Sequence, residues 1–133
     1  MRYLLDTNVI SDLVKYPSGA AAQRVAKSGM GELGTSIIVS AELKFGYVRR
    51  SSKRLQRLIE ETLASFEIAA WTAPADTLYA RLRTDLETSG RLIGQNDMLV
   101  AAHALALDVV LVTGNEREFS QVPGLKVENW VRQ

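Results

Sequence analysis

The chain has 133 residues, of which 47% are hydrophobic and 23% are charged, and its formal net charge at pH 7 is +1. These values are typical of one compact globular domain and exclude a disordered chain. The absence of cysteine excludes disulfides, thiolate metal sites and cysteine nucleophiles. No signal-peptide pattern occurs near the start, and the most apolar segment, 98–112, is too short to span a bilayer. We therefore expect a cytoplasmic protein.

The first half of the chain alternates between short apolar segments and helical periodicity. Ser36 is a suitable N-cap for the helix that carries Glu42. The elements predicted here are a strand over 3–5, helices over 9–16 and 20–27, a strand over 33–36, and a helix from 37 through 48.

The second half repeats this alternation, with proline and glycine at the element boundaries. The elements predicted here are a helix over 55–66, a strand over 66–71, helices over 74–88 and 97–107, and strands over 109–112 and 125–127. Asn96 is the expected cap of the helix over 97–107. Short apolar strands between helices predict an α/β fold, a three-layer sandwich with a central, mainly parallel sheet in one domain over 1–133.

Two polar clusters follow predicted strands directly. Asp6, Thr7 and Asn8 come after the first strand, and residues 113–116 come after the strand over 109–112. Ligands bind parallel α/β sheets at the carboxyl ends of the strands. Both clusters are therefore expected at the functional edge of the sheet.

Three carboxylates stand out, although each also has a structural explanation. Asp6 is suitable as a cap for the following helix, and Asp97 as an acid in the first turn of another. Glu42 interrupts an apolar stripe, where a carboxylate is costly unless it is paired, for example with Lys44 or Arg49. If the three converge, they repel one another, and a divalent cation removes that cost. All-oxygen ligation favours Mg²⁺, or Mn²⁺, over zinc.

A basic block follows Glu42 in the sequence. It contains six cations and no acid, and its members are Lys44, Arg49, Arg50, Lys53, Arg54 and Arg57. Such a block forms either a solvated helix face or a surface that attracts phosphates. Its position next to Glu42 would let it attract phosphates towards the acids.

Several segments together resemble the PIN-domain ribonucleases, specifically the VapC-type toxins of bacterial toxin–antitoxin pairs. The segments are "LLDTNVIS" from residue 4, "SIIVSAEL" from 36, "IGQNDMLVAAHALAL" from 93, "LVTGNEREF" from 111, and "ENW" from 128. The likeness covers nearly the whole chain. It implies a parallel-sheet sandwich and metal-assisted hydrolysis of RNA phosphodiesters.

The resemblance also implies roles for individual residues. Asp6, Glu42 and Asp97 match the three core acids of the family, and Asn115 stands where many relatives have a fourth. Asp6 and Asp97 are the implied metal ligands. The implied positioning residues around them are Thr7, Asn8 and Glu118. The implied contacts for the RNA backbone come from the basic block, namely Lys44, Arg49, Arg50 and Lys53.

The implied partners are an RNA substrate, a small cognate antitoxin and a second copy of the chain in a homodimer. Two other functions stay open at this point. A degenerate module that binds RNA or protein would explain Asn115. A haloacid-dehalogenase-like phosphatase would explain Asp6, but Asn8 stands where that class has its second acid.

Overall fold

The computed structural model describes residues 1–29 and 31–131 of the chain. Helices and strands alternate along the described residues, as the sequence predicts. The elements are β1 (Tyr3–Leu5), α1 (Thr7–Lys15), α2 (Ala20–Ala26), β2 (Leu33–Ser36), α3 (Ile37–Arg50), α4 (Lys53–Leu63), β3 (Glu67–Ala69), α5 (Ala75–Thr88), α6 (Gln95–Leu107), β4 (Val110–Val112), α7 (Glu116–Phe119) and β5 (Val127–Glu128).

The sheet has the order β3-β2-β1-β4-β5, and every strand pairing in it is parallel. β1 lies at the centre, where Leu4 is in register with Gly34 of β2 and Leu111 of β4. Since all strands run the same way, the residues that follow β1, β2 and β4 lie at one edge. The predicted three-layer α/β sandwich with a parallel sheet is confirmed.

The core lies on both faces of this sheet. All three residues of β1 are buried, and so are Leu111 and Val112 of β4. Helix α1 packs against α2, α3 and α4, while α5 and α6 pack against each other. Burial on both faces explains why the central strands β1 and β4 are continuous apolar runs.

Serine side chains define where two helices begin. Ser36 Oγ accepts a hydrogen bond from the Ile38 amide at the start of α3, as predicted, and Ser52 Oγ accepts one from the Leu55 amide at the start of α4. Between these helices, Ser51 adopts a left-handed conformation with φ of 50°. The cap and this turn make α4 begin at Lys53, two residues before the predicted start.

The only histidine of the chain is a core residue, with 1% of its surface exposed. His103 Nδ1 lies 2.7 Å from Ser36 Oγ, so α6 is tied to the residue that caps α3. Burial lowers the pKa of His103, and the ring is neutral at pH 7. The two helices that carry Glu42 and Asp97 are therefore joined at the sheet edge.

Several predicted boundaries are wrong in detail, among them that of α1, which begins at Thr7 and not at residue 9. The strand predicted over 66–71 is limited to Glu67–Ala69, and the last strand lies at Val127–Glu128 and not over 125–127. Helix α6 begins at Gln95 with Gly94 as its cap, so Asn96 is not the cap. The four-residue helix α7 was not predicted, because a single turn has no periodicity to detect. Within the described residues, no helix is both long and apolar enough to cross a membrane.

Candidate active site

Asp6 lies at the centre of the site, at the residue where β1 ends and α1 begins. Its side chain is almost fully buried, with 3% exposure. Oδ1 accepts a hydrogen bond from the Thr7 amide at 2.8 Å, which makes Asp6 the N-cap of α1. Oδ2 accepts bonds from the Thr113 hydroxyl at 2.8 Å and from the Asn8 amide at 3.2 Å. These bonds use three of about four acceptor positions of a carboxylate, and one position on Oδ1 stays available.

Asn8 and Thr113 join the ends of β1 and β4. Asn8 donates to Thr113 Oγ1 at 3.3 Å, and its Oδ1 accepts from the Gly114 amide at 2.7 Å. Thr113 Oγ1 also accepts from the Asn115 amide at 3.0 Å. A side chain at Gly114 would bring its Cβ to 3.2 Å from Asn8 Oδ1, so the glycine permits this close approach. Asn8 thus orients Asp6 through hydrogen bonds, as predicted for a positioning residue.

Burial raises the pKa of Asp6, and the charge of Glu42 raises it further. The hydrogen bonds from Thr113, Thr7 and Asn8 act in the opposite direction and lower this pKa. The carboxylate is therefore held by donors that favour its ionised form, in a place where burial disfavours that form.

Glu42 lies on α3 and faces the same edge of the sheet. Its Oε1 accepts from the Thr7 hydroxyl at 3.0 Å, and its Oε2 lies 3.5 Å from the Asn96 side-chain amide. In the described part of the chain, Glu42 forms no ion pair with Lys44 or Arg49, so the structural explanation for this acid is wrong. The groups that donate to Glu42 are neutral, namely the Thr7 hydroxyl of α1 and the Asn96 side-chain amide of α6.

Asp97 lies in the first turn of α6 and faces Glu118 of α7. Burial raises the pKa of Asp97 to about 7, together with a hydrogen bond to Glu118 and repulsion from Glu118, Asp6 and Glu42. Gly94 permits the approach of the two acids, since a Cβ there would lie 3.3 Å from Asp97 Oδ2. The three predicted core acids therefore lie close enough to repel one another, and Glu118 adds a fourth charge.

Asn115 belongs to the rim of the same cluster. Its side-chain amide donates to Glu118 Oε2, and Glu118 Oε1 accepts from the Gly94 amide at 3.0 Å. Asn115 therefore fixes the position of Glu118, the acid that faces Asp97. Sequence analysis missed Asn96 as a member of the site, because the residue was interpreted only as a helix cap.

The donor set suits a hard divalent cation bound by few protein ligands. Over residues 1–29 and 31–131, no three His, Asp or Glu side chains form a group that holds a metal ion by itself. Mg²⁺ is commonly bound through one or two carboxylates, with water and substrate phosphate completing its octahedron. Asp6 and Asp97 fit that requirement, because Asp6 keeps a free acceptor position and Asp97 is destabilised by neighbouring negative charge.

A groove of about 620 Å³ begins at Thr7 and Glu42 and runs between α1, α3 and α4. Of the four predicted RNA contacts, Lys44, Arg49, Arg50 and Lys53, only Arg50 lines it. Two further cations that were not selected from the sequence, Lys15 and Arg54, also line this groove.

Comparisons with known proteins agree with this geometry. A family model described as PIN domain matches residues 3–125. The chain is 38% identical to ribonuclease VapC2 of Rickettsia felis and 28% identical to the tRNA(fMet)-specific endonuclease VapC of Shigella flexneri, each over 98% of both chains. The crystal structure of VapBC2 from Rickettsia felis bound to a promoter DNA fragment matches with a TM-score of 0.87 and 35% identity, over 98% of this chain and 99% of that one. The predicted family and enzyme class are confirmed, and the chain belongs to the PIN-domain family, among the VapC ribonucleases.

Proposed function

We propose that the chain is an Mg²⁺-dependent endoribonuclease, the toxin of a type II toxin–antitoxin pair, formed by one nuclease domain over 1–133. The observation that carries this proposal is the convergence of Asp6, Glu42 and Glu118 on Asp97, whose pKa is raised by burial and by their negative charge. Mutual repulsion among acids that are buried or partly buried is costly in the metal-free protein, and a bound cation removes it. The cluster lies at the carboxyl edge of a parallel sheet, where such folds bind ligands.

Each acid has a distinct part in this proposal. Asp6 and Asp97 hold the cation, which when bound polarises the phosphoryl group and lowers the pKa of an attacking water. Glu42 orients that water from the α3 side, and Thr7 keeps the Glu42 carboxylate in place through the 3.0 Å hydrogen bond. Asn8 and Thr113 hold Asp6 in the orientation that leaves its free acceptor position available.

Asn115 replaces the fourth acid of many relatives, and we assign it a positioning role. Its amide holds Glu118, which in turn faces Asp97. An asparagine at this place contributes a neutral oxygen and no charge. This set of ligands supports one firmly held cation. Glu118 is the acid nearest to any second cation.

Metal dependence tests the proposal directly. Structured RNA, with a transfer RNA as the first probe because of the Shigella flexneri relative, is incubated with the purified chain. We expect cleavage with Mg²⁺ or Mn²⁺, loss of cleavage in EDTA, and recovery when Mg²⁺ is added back. Fragment mapping on gels checks that the cuts are internal. Cleavage that persists in EDTA would contradict the carboxylate–metal mechanism.

The same assay separates the two other functions. RNA binding without any cleavage in either metal would favour a degenerate binding module. Hydrolysis of p-nitrophenyl phosphate would favour a phosphatase. The geometry gives the phosphatase no support, because Asn8, which stands in place of the second acid of that class, has no acidic proton and is hydrogen-bonded to Asp6 and Gly114.

We infer that a small antitoxin covers the acidic site in the cell. The support is the Rickettsia felis structure, which contains VapBC2 on promoter DNA. An antitoxin that blocks the groove beside Glu42 would exclude RNA from the acids. An RNA substrate also implies that the chain acts in the cytoplasm.

We further propose a homodimer formed through the outer face of α3. Ile37, Phe45 and Val48 lie on this face, and they are 46%, 64% and 66% exposed. Their spacing of eight and three residues puts them on one stripe, and exposed apolar stripes of this kind mark protein interfaces. We expect Phe45→Glu/Val48→Glu to convert a dimer into a monomer in light scattering at micromolar concentration.

The control for the dimer is Leu107→Glu, which changes an apolar residue of 41% exposure at the end of α6. It should leave the molar mass unchanged. A wild-type protein that is monomeric at every accessible concentration would rule this interface out.

A further inference from the structure

Helices α3 and α6 carry Glu42 and Asp97, yet the two helices touch over only a short stretch. Helix α6 packs mainly against α5, and its contact with α3 is much smaller. Where apolar packing between two elements is slight, the polar bonds between them have a large part in deciding how they lie against each other. The distance between the two acids therefore depends on few interactions.

In the described part of the chain, polar side chains join α3 to α6 at two levels. His103 Nδ1 lies 2.7 Å from Ser36 Oγ, and the Asn96 side-chain amide lies 3.5 Å from Glu42 Oε2. From the first contact to the second the chain advances six residues from the cap into α3 and goes back seven along α6, so the helices are antiparallel where they meet. Six residues of helix are about 9 Å long. The contact between Ser36 and His103 thus lies nearly two turns from the acids.

The direction of the hydrogen bond between Ser36 and His103 follows from the other bond of the serine. Ser36 Oγ already accepts from the Ile38 amide, so its own proton needs an acceptor, and His103 Nδ1 provides one. Nε2 then carries the proton of the neutral ring. This atom is buried, and over residues 1–29 and 31–131 it makes no hydrogen bond of good geometry. The Ala70 carbonyl interacts with the ring and favours a proton on it.

The bond from Ser36 to His103 is shielded from water. The exposed fractions of the two residues are 0% and 1%. A hydrogen bond in such a place is stronger than one at the surface, and a partner left unpaired there is costly. A shift of α6 against α3 that broke the bond would leave the serine proton and Nδ1 without partners.

From these observations we propose that His103 is a positioning residue, which accepts the hydrogen bond from Ser36, fixes α6 against α3 and so sets the distance between Glu42 and Asp97. Ser36 is anchored to α3 as its cap, and His103 lies on the same face of α6 as Asn96, seven residues away. Two helices therefore transmit a displacement at the bond to the acids. This inference rests on the proposed metal-dependent function, because its consequence is the spacing of the cation site.

Binding of Mn²⁺ by the intact chain, measured by electron paramagnetic resonance without RNA, tests the inference. His103→Leu keeps an apolar side chain in the core and removes the bond to Ser36. We expect affinity for Mn²⁺ about fivefold weaker, less than the roughly 10–100-fold loss typical of groups that contact a metal ligand, because His103 acts through a helix. An affinity equal to that of the wild type would overturn the inference.

His103→Asn separates positioning from packing. The oxygen of the new side chain can accept from the Ser36 hydroxyl near the place of Nδ1, so affinity for Mn²⁺ should return to within about twofold of the wild type. The variant also leaves a cavity and a buried amide, so it should melt at a lower temperature than His103→Leu. A purely structural histidine would give the opposite result, in which the less stable variant binds Mn²⁺ more weakly.

A matched control loosens the core without removing the bond. Leu82 of α5 is 4% exposed, and Leu82→Ala leaves a cavity there. It should lower the melting temperature at least as far as His103→Leu does and leave the affinity for Mn²⁺ unchanged. Equal weakening by both variants would show that general loosening governs the site, and would overturn the inference.

A double-mutant cycle connects the effect to Ser36. Ser36→Ala removes the bond to His103 and also the cap on the Ile38 amide, and the loss of the cap cancels between the two arms of the cycle. Ser36→Ala/His103→Leu should bind Mn²⁺ no more weakly than Ser36→Ala alone. Additive losses would mean that the two side chains act separately, against the inference.

Nitrogen NMR of the imidazole ring checks the direction of the bond, and the signals are unambiguous because the chain has one histidine. We expect a neutral ring with its proton on Nε2, and a proton on Nδ1 would overturn the assignment. Mn²⁺ binding and RNA cleavage by the wild type are measured in parallel. A wild-type chain that binds no cation would contradict the proposed function, whereas normal binding by the wild type and by every variant would contradict the positioning role alone.

Discussion

Asp6→Asn is expected to lower the rate of RNA cleavage in Mg²⁺ by about 10²–10³-fold. The variant removes the charge of a proposed metal ligand, and charge stabilisation by such a metal amounts to several kcal/mol of the barrier. The loss should appear in kcat, because RNA phosphates still meet the cations of the groove. Single-turnover cleavage of one labelled RNA measures the effect.

The same variant should fold normally. Asparagine is as good an N-cap as aspartate, and its remaining oxygen accepts the bond from the Thr7 amide. An amide nitrogen in place of Oδ2 can only donate, so the bonds that Oδ2 accepts from Thr113 and Asn8 are lost. Burial already disfavours the charge of Asp6, and removing that charge offsets this loss. We expect the free energy of unfolding to change by less than about 1 kcal/mol.

Asp85→Asn is the matched control, because it makes the same change at an exposed residue of α5. It should cleave at the wild-type rate. Wild-type cleavage by Asp6→Asn would contradict the proposed metal site. A strongly destabilised Asp6→Asn would instead show that the N-cap and the bond from Thr113 dominate.

The second large effect concerns stability without metal. We expect Asp97→Asn to stabilise the metal-free protein at pH 8, although it removes catalytic activity. Asp97 is partly buried and faces Glu118, with Asp6 and Glu42 nearby, and these raise its pKa from 3.8 to about 7. An amide in its place donates to Glu118 and carries no charge. Active sites often retain groups that cost stability in this way.

The sign of the pH dependence follows from the raised pKa. Below about pH 4, Asp97 is protonated in both the folded and the unfolded chain, and the group contributes no penalty. Between pH 4 and 7 the unfolded chain loses its proton first, so stability falls as the pH rises. Above about pH 7 the penalty is complete. The stabilising effect of Asp97→Asn should therefore be large at pH 8 and small at pH 4.

The expected stabilisation by Asp97→Asn is smaller than the full rise in the pKa of Asp97 implies. A shift of about 3 pKa units corresponds to about 4 kcal/mol, and solvent screening of a half-exposed group reduces this to about 1–2 kcal/mol. Urea unfolding in EDTA at pH 4 and pH 8 measures it. Glu118→Gln removes the principal facing acid and should stabilise the metal-free protein in the same direction.

Magnesium provides the corresponding control. At pH 8 it should stabilise the wild-type protein, because binding to the folded state alone raises its stability. Asp97→Asn should respond much less. If EDTA and Mg²⁺ give equal stabilities for the wild type, or if Asp97→Asn is destabilised at pH 8, the acids do not repel one another as described.

The sequence alone determined the parallel sheet and the positions of its main acids. The strands β1 and β4 are apolar runs, as expected of central strands, and parallel strands end at a common edge, so Asp6 and residues 113–116 were expected at that edge. Glu42 could be identified because a carboxylate on an apolar stripe is costly unless it is paired or bound to a metal ion. The motifs around these residues also indicated the family. Helix caps at Ser36 and Asp6 follow from local hydrogen bonding and were predictable for that reason.

Only the tertiary structure decided which side chains face one another. Contact between Asp97 and Glu118 depends on how α7 approaches Gly94, and a four-residue helix leaves no periodic signal. Asn96 lies within α6, which begins two residues earlier than predicted, and its side chain reaches Glu42. The separation of Arg50 from Arg49 follows from the rotation of α3 against α1 and α4. Such rotations are set by packing between segments that are distant in the sequence. The local residue pattern does not specify that packing.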